Sequence, residues 1–203
     1  MAYVQPAQLM VNSGGAGSHG HYGRSAHPPP HPSVLRGPMP PHWFLTDGRR
    51  TEHVPRPHGI SPAQESFPGI SFSTGGWPGV RVKDILKQKV VVDNPSDAVF
   101  AHHGWRTTVI ALEWPGFIPT TTLDASHIRI DTLNGGRPIT RQEFAQQISY
   151  LLADVYNRAK GRPVARGCEK WTLGENGIRP SDVIILSAHY YRNVWIPEFY
   201  VIE

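Results

Sequence analysis

Proline decides where this chain can build regular structure. Eleven of its 20 prolines fall within the first 62 residues. Each one fixes φ and removes a main-chain donor, so the front of the chain cannot sustain a helix or a central strand. The stretch 12–32 is also of low complexity, with Gly14-Gly15-Ala16-Gly17-Ser18 followed by Pro28-Pro29-Pro30. Such a stretch buries too little apolar area to offset the entropy of ordering it. Residues 1–38 therefore read as a disordered, low-complexity leader. Residues 39–76 carry Trp43, Phe44, Leu45, Ile60, Phe67, Ile70 and Phe72, enough apolar anchors for an extended arm that docks in part on a folded body. From 77 to 203 apolar runs take over, and a single modest core becomes possible.

Charge narrows the function classes. The chain has 20 Lys and Arg against 16 Asp and Glu, a formal charge of +4. The excess is spread along the chain and forms no basic block, which argues against a nucleic-acid surface. Cys168 is the single cysteine. One thiol allows no intrachain disulfide and no cysteine-based zinc site, and this fits a reducing compartment. Residues 1–10 lack the basic and apolar regions of a secretory signal. No apolar run approaches the ~18 residues that a membrane-spanning helix requires. The expectation is a cytoplasmic protein without a membrane anchor, with the nucleus left open.

Periodicity then predicts the elements. Val80 to Gln88 places Val82, Ile85 and Leu86 at helical spacing and predicts a short helix. Lys89 to Asp93 is a β-branched run closed by Asn94-Pro95. Residues 107–114 have strand composition and stop at Pro115-Gly116. His127 to Thr132 alternates, with Ile128 and Ile130 opposite Arg129 and Asp131, as a half-buried strand does. Thr140 and Glu143 have capping-box spacing. Behind them Phe144, Ile148, Leu151, Leu152, Val155 and Ala159 form one apolar stripe, and Gly161 and Pro163 supply the stop. Trp171 to Leu173 reads as a short strand. Residues 183–187 and 195–202 read as two more, joined as a hairpin through Arg192-Asn193. Pro197 predicts an edge strand or a bulge at its position. Together these elements predict an α+β fold: a mainly antiparallel sheet with one long amphipathic helix packed on one face.

Three stretches also carry a resemblance. Val82-Lys83-Asp84-Ile85-Leu86 opens the domain, Arg137-Pro138-Ile139-Thr140 opens the helix, and a terminal strand, Trp195 to Val201, holds a tryptophan. With a proline-rich leader in front, the region 80–203 resembles a family of proteins from mushroom-forming fungi that carry a domain of unknown function. The resemblance implies no activity and no catalytic residues. The stretch between Asn94 and Thr107 departs from the family's pattern.

Several residue groups invite a chemical reading, each with a plainer one beside it. His19, His21, His27 and His31 bring imidazoles together, a ligand type that suits zinc, nickel or copper. They sit on a chain with no nearby carboxylate, so no metal site is expected. His102-His103 are adjacent, and joint ligation by neighbours requires a loop. Cys168 and His189 offer a thiol and a base, with Arg166 and Lys170 near the thiol; an incidental thiol is the plainer reading. Glu113, Asp124 and Asp131 flank two strands and offer carboxylates for acid–base work, or simply lie on the surface. Asn134-Gly135-Gly136-Arg137 resembles an anion-binding nest before a helix, or an ordinary turn. Tyr190, Tyr191, Arg192 and Trp195 gather at the hairpin the residue types that dominate binding hot spots, or belong in part to the core.

The reading that follows is a non-enzymatic protein–protein interaction or self-assembly module. Its binding residues are Tyr190, Tyr191, Arg192 and Trp195, its partner is another protein or a second copy, and it needs no metal or cofactor. An exposed edge strand would favour pairing by strand addition. Two alternatives stay open: a small enzyme using Cys168 and His189 or a carboxylate cleft, and a single-stranded nucleic-acid binder using aromatics and arginine.

Overall fold

A computed structural model describes residues 28, 30, 31, 33, 39–45, 47–56, 67–117 and 127–203. Most of the leader 1–38, with His19, His21 and His27, lies outside the described residues, as do Ile60 and Asp124. The fold is α+β, a mainly antiparallel sheet with one long helix.

The organising element is a hairpin of two nine-residue strands. We number strands and helices in chain order, which makes these β11 (Val183–Tyr191) and β12 (Val194–Ile202). Arg192 and Asn193 join them with φ of 46° and 70°. Two consecutive left-handed residues match the right-handed twist of the strands, as two-residue hairpins require. Both strands are buried almost throughout, so they read as apolar runs without alternation, the mark of a sheet covered on both faces.

Short strands flank this hairpin end to end. On the β12 side lie β2 (Arg50–His53), opposite Tyr200 to Ile202, and β7 (Thr107–Ala111), which meets Trp195 in parallel through Ile110. On the β11 side lie β3 (Ile70–Ser71) and β6 (Val80–Arg81). The outermost strands are β1 (His42–Phe44), paired with β2, and β8 (His127–Asp131), paired with β7. Two small hairpins stand apart from the sheet, β4 (Ser73–Thr74) with β5 (Trp77–Pro78) and β9 (Leu133–Asn134) with β10 (Arg137–Pro138). Residues 39–76, read from sequence as a docking arm, thus supply β1 to β4.

Pro197 corrects the edge-strand expectation. It lies in β12, the middle of the sheet, opposite Ala188. The Phe199 carbonyl accepts from the Val54 N–H, so odd-numbered main-chain groups of β12 point away from β11. The nitrogen of Pro197 therefore faces the gap where the flank changes from β7 to β2, and no ladder bond is lost. The irregularity sits in the opposite strand, where the register shifts between Ile185 and Ser187.

The helix α2 (Arg141–Ala159) follows the predicted caps. Thr140 accepts from the Glu143 N–H, and the Glu143 carboxylate accepts from the Thr140 N–H at 2.8 Å. Over 19 residues the helix runs about 28 Å at 1.5 Å per residue. Its buried stripe of Phe144, Ile148, Leu151, Leu152 and Val155 packs in one cluster with Val183, Ile185, Trp195, Phe199 and Val201 of the hairpin. The opposite face of the hairpin, with Ile184, Leu186 and Tyr200, is covered by Trp43, and the Tyr200 hydroxyl donates to the Pro40 carbonyl at 2.6 Å.

Two local expectations change, at 80–88 and at 171–173. The 80–88 segment begins as β6 and becomes helical only at α1 (Val82–Leu86), whose Val82 and Ile85 are buried. The β-branched run 89–93 joins no strand. Its amides turn elsewhere, Val92 to the Gln142 side chain and Asp93 to the Ser73 carbonyl. The short strand expected at Trp171 to Leu173 does not form, and residues 169–171 make a 3-10 turn. The Thr172 hydroxyl and amide both bond the Glu169 carbonyl and close it locally, and Leu173 makes only an isolated bridge to Ile178.

Candidate interaction surface

The hairpin end carries a ladder of rings that runs from the core to solvent. Phe144 and Trp195 are fully buried at its base, with ring centroids 5.9 Å apart. Phe100 bridges them, 5.0 Å from Phe144 and 5.5 Å from Trp195. Tyr190 leans on Trp195 at 5.3 Å and stacks on Trp105 at 4.9 Å. His103 lies 4.4 Å from Trp105. Outermost is Phe67, edge-on to His103, Trp105 and Tyr190 at 4.9, 5.4 and 5.2 Å. It remains 38% exposed. Edge-to-face geometry satisfies the ring quadrupoles and fixes this arrangement beyond what area burial alone would do. Burial holds the His103 imidazole below its ordinary pKa, and the neighbouring His102 charge adds to this.

The sequence-predicted residues divide between the two faces of the sheet. Tyr190 and Trp195 belong to the ring ladder, but Trp195 has no exposed surface and serves the core. Tyr191 points to the other face, buried with Ala111 and Ile196. Arg192 is exposed at the turn, with its guanidinium 5.2 Å from the Tyr191 ring. Tyr190 and Arg192 are thus the two that solvent can reach. Phe67, His103 and Trp105 join Tyr190 from residues distant in sequence, which pattern reading along β11 and β12 alone could not find. The only signal was compositional, aromatic residues beside Gly and Pro.

The other chemical candidates separate. Cys168 packs beside Gly116 on the helix side of the sheet, whereas His189 lies on the opposite face against Ser187. Asp131 faces Thr107 at one end of β7, and Glu113 follows the other end. Both are exposed. His31 spends its ring on the Phe72 carbonyl at 2.9 Å and on Ser33, and burial keeps its pKa low. Among the described residues no group of His, Cys, Asp and Glu is placed to hold a metal ion. The Asn134 to Arg137 turn does receive an anion, but it is the chain's own. Arg137 Nη1 at 2.8 Å and Asn134 Nδ2 at 3.0 Å donate to the Glu143 carboxylate. The Arg137 hydrogen bonds, aided by the Thr140 amide and Asn134, pull Glu143 down to about 2 against its burial.

One ionisable cluster escaped the sequence reading. On the second face of the sheet, His53 Nε2–H donates to Glu198 at 2.6 Å, and Arg56 forms an ion pair with the same carboxylate. Ser187 Oγ and His189 Nε2 share a hydrogen bond of 2.8 Å nearby. Burial pushes the Glu198 carboxyl up, but the His53 hydrogen bond and the Arg56 charge outweigh it and hold it below its ordinary value. By residue type this group could serve acid–base or nucleophilic chemistry. Glu198 is only 1% exposed and Ser187 is wholly buried. Gly69 seals the edge, since a Cβ there would lie 2.7 Å from the His189 ring. The signal was present as a period of two: Ser187 and His189 alternate in an apolar strand, and Glu198 stands opposite Ser187.

No helix among the described residues is long and apolar enough to cross a membrane. Against known protein families, curated proteins and solved structures, the chain gives no match.

Proposed function

We propose that this chain is a non-enzymatic interaction module, and that it engages a protein partner through the ring surface at the hairpin end. The observation that carries the reading is the outer rung of the ladder, exposed Phe67 against half-buried Trp105, Tyr190 and His103, with Tyr190 reaching the 192–193 turn through Asn193. Rigid rings backed by a packed core lose little entropy on binding, and together with arginine they are the side chains that dominate binding hot spots. The burial of the Glu198 cluster supports the same reading, because a catalytic group must touch its substrate. The mild, dispersed charge favours a protein over a nucleic acid as partner. The resemblance to fungal proteins carries no activity that competes with this.

The test is a pair of surface variants, Phe67→Ser and Arg192→Glu, compared with the unaltered chain in co-purification. Loss of the co-purifying protein at unchanged thermal stability is the expected result. Retention of the same protein by both variants would refute the assignment of this surface.

A further inference from the structure

The outer edge of β8 offers a second surface. The Thr132 N–H donates to the Arg106 carbonyl at 2.9 Å, so positions 128 and 130 share that direction and bond to β7. His127, Arg129 and Asp131 consequently turn their main-chain N–H and C=O groups outward. Among the described residues β8 pairs with β7 alone, and its register is unbroken from His127 to Asp131. Proteins blunt such an edge with short length, proline, a bulge or charged side chains, which repel a like-charged strand but attract a complementary one. Here there is no proline and no bulge, and the two exposed charges have opposite sign, Arg129 and Asp131. An open cavity of about 460 Å³ lies along the strand between β8 and α2, with Gln146 and Gln147 on its far wall.

We propose that β8 pairs with β8 of a second copy of this chain, antiparallel, about a two-fold axis at Ile130. Charge selects both the partner and the register. With the axis at Ile130, Arg129 of each copy lies directly opposite Asp131 of the other, giving two opposite-charge cross-strand pairs. An axis at Arg129 sets arginine against arginine. An axis at Ile128 sets Arg129 against His127. In-register parallel pairing sets every charge against its own kind. A one-residue slip would turn outward groups toward inward ones and remove the ladder. The interface is isologous and closes at two copies, and it extends the sheet continuously from one molecule into the other.

The test is charge exchange followed by sedimentation velocity over a concentration series of the full chain. Arg129→Asp and Asp131→Arg should each weaken the dimer by about tenfold or more, because both cross-strand pairs become repulsive. An equimolar mixture of the two variants should recover dimerisation as a heterodimer, as should the double exchange R129D/D131R within one chain. Arg129→Pro removes an outward N–H without touching the β7 ladder and should leave a folded monomer. A wild-type chain that stays monomeric at every concentration would overturn the proposal. So would a dimer that the single exchanges do not weaken, or variants that fail to recover when mixed. These outcomes are read on Arg129 and Asp131, which the ring-surface variants Phe67→Ser and Arg192→Glu leave unaltered, although β7 joins β8 to the same end of the hairpin.

Discussion

At the scale of single residues, two carboxylates hold this molecule in opposite ways. Glu143 is a cap: it closes the first turn of α2 while Arg137 and Asn134 fasten the β9/β10 hairpin to it. Its pKa falls from an ordinary 4.5 to about 2 in the folded chain. A carboxyl depressed by folding stabilises fully above its unfolded pKa and loses that contribution as pH falls toward the folded value. Glu143→Gln keeps the capping-box acceptor but loses the ion pair with Arg137, and should therefore cost about 0.5–1 kcal/mol near neutrality. The difference from wild type should shrink as pH falls below 4.5 and vanish near 2, as read by denaturant midpoints over that range. Glu198 is instead a buried counter-ion. Glu198→Gln leaves the Arg56 guanidinium, itself 9% exposed, without compensating charge. The expected loss is about 3–5 kcal/mol, measured as a lower midpoint at constant denaturant slope.

At the scale of elements, legibility followed period. The α2 stripe and its caps could be read because one helix face alternates with solvent, and every stripe residue from Phe144 to Val155 is buried. Truncating its centre, Ile148→Ala, should cost about 2–5 kcal/mol by equilibrium unfolding, with no loss of helix signal in the folded state. The hairpin was legible for a different reason, the turn chemistry of Arg192-Asn193. Its place in the sheet was not, because burial on both faces erases alternation and makes a central strand resemble any apolar run. Pro197 then misled in a definite way. A proline is excluded from a central strand only where its nitrogen must donate, and the exchange of β7 for β2 at that point removes the demand. Residues 171–173 were misread as a strand because the Thr172 hydroxyl and amide both turn back to the Glu169 carbonyl, and such local bonds outcompete β propensity over three residues.

At the scale of the whole molecule, the folded body draws on both the arm 39–76 and the domain 77–203. The second face of the sheet is covered by Trp43, Met39 and Leu45, and β2 is hydrogen-bonded into the sheet between β1 and β12. Proline density marks where helices cannot form, but short strands of two to four residues fit between the prolines, and local composition does not reveal them. The ring surface shares this origin. It is assembled from Phe67, His103, Trp105 and Tyr190, which the sequence separates and only the closed sheet brings together. The most direct test of the account is site-specific photo-crosslinking from that surface in a cell extract, with benzoylphenylalanine replacing Phe67 and, as control, Val91, which is 63% exposed. A discrete protein adduct is expected from position 67 that position 91 does not give. Identical adducts from both positions, or none from position 67, would contradict it.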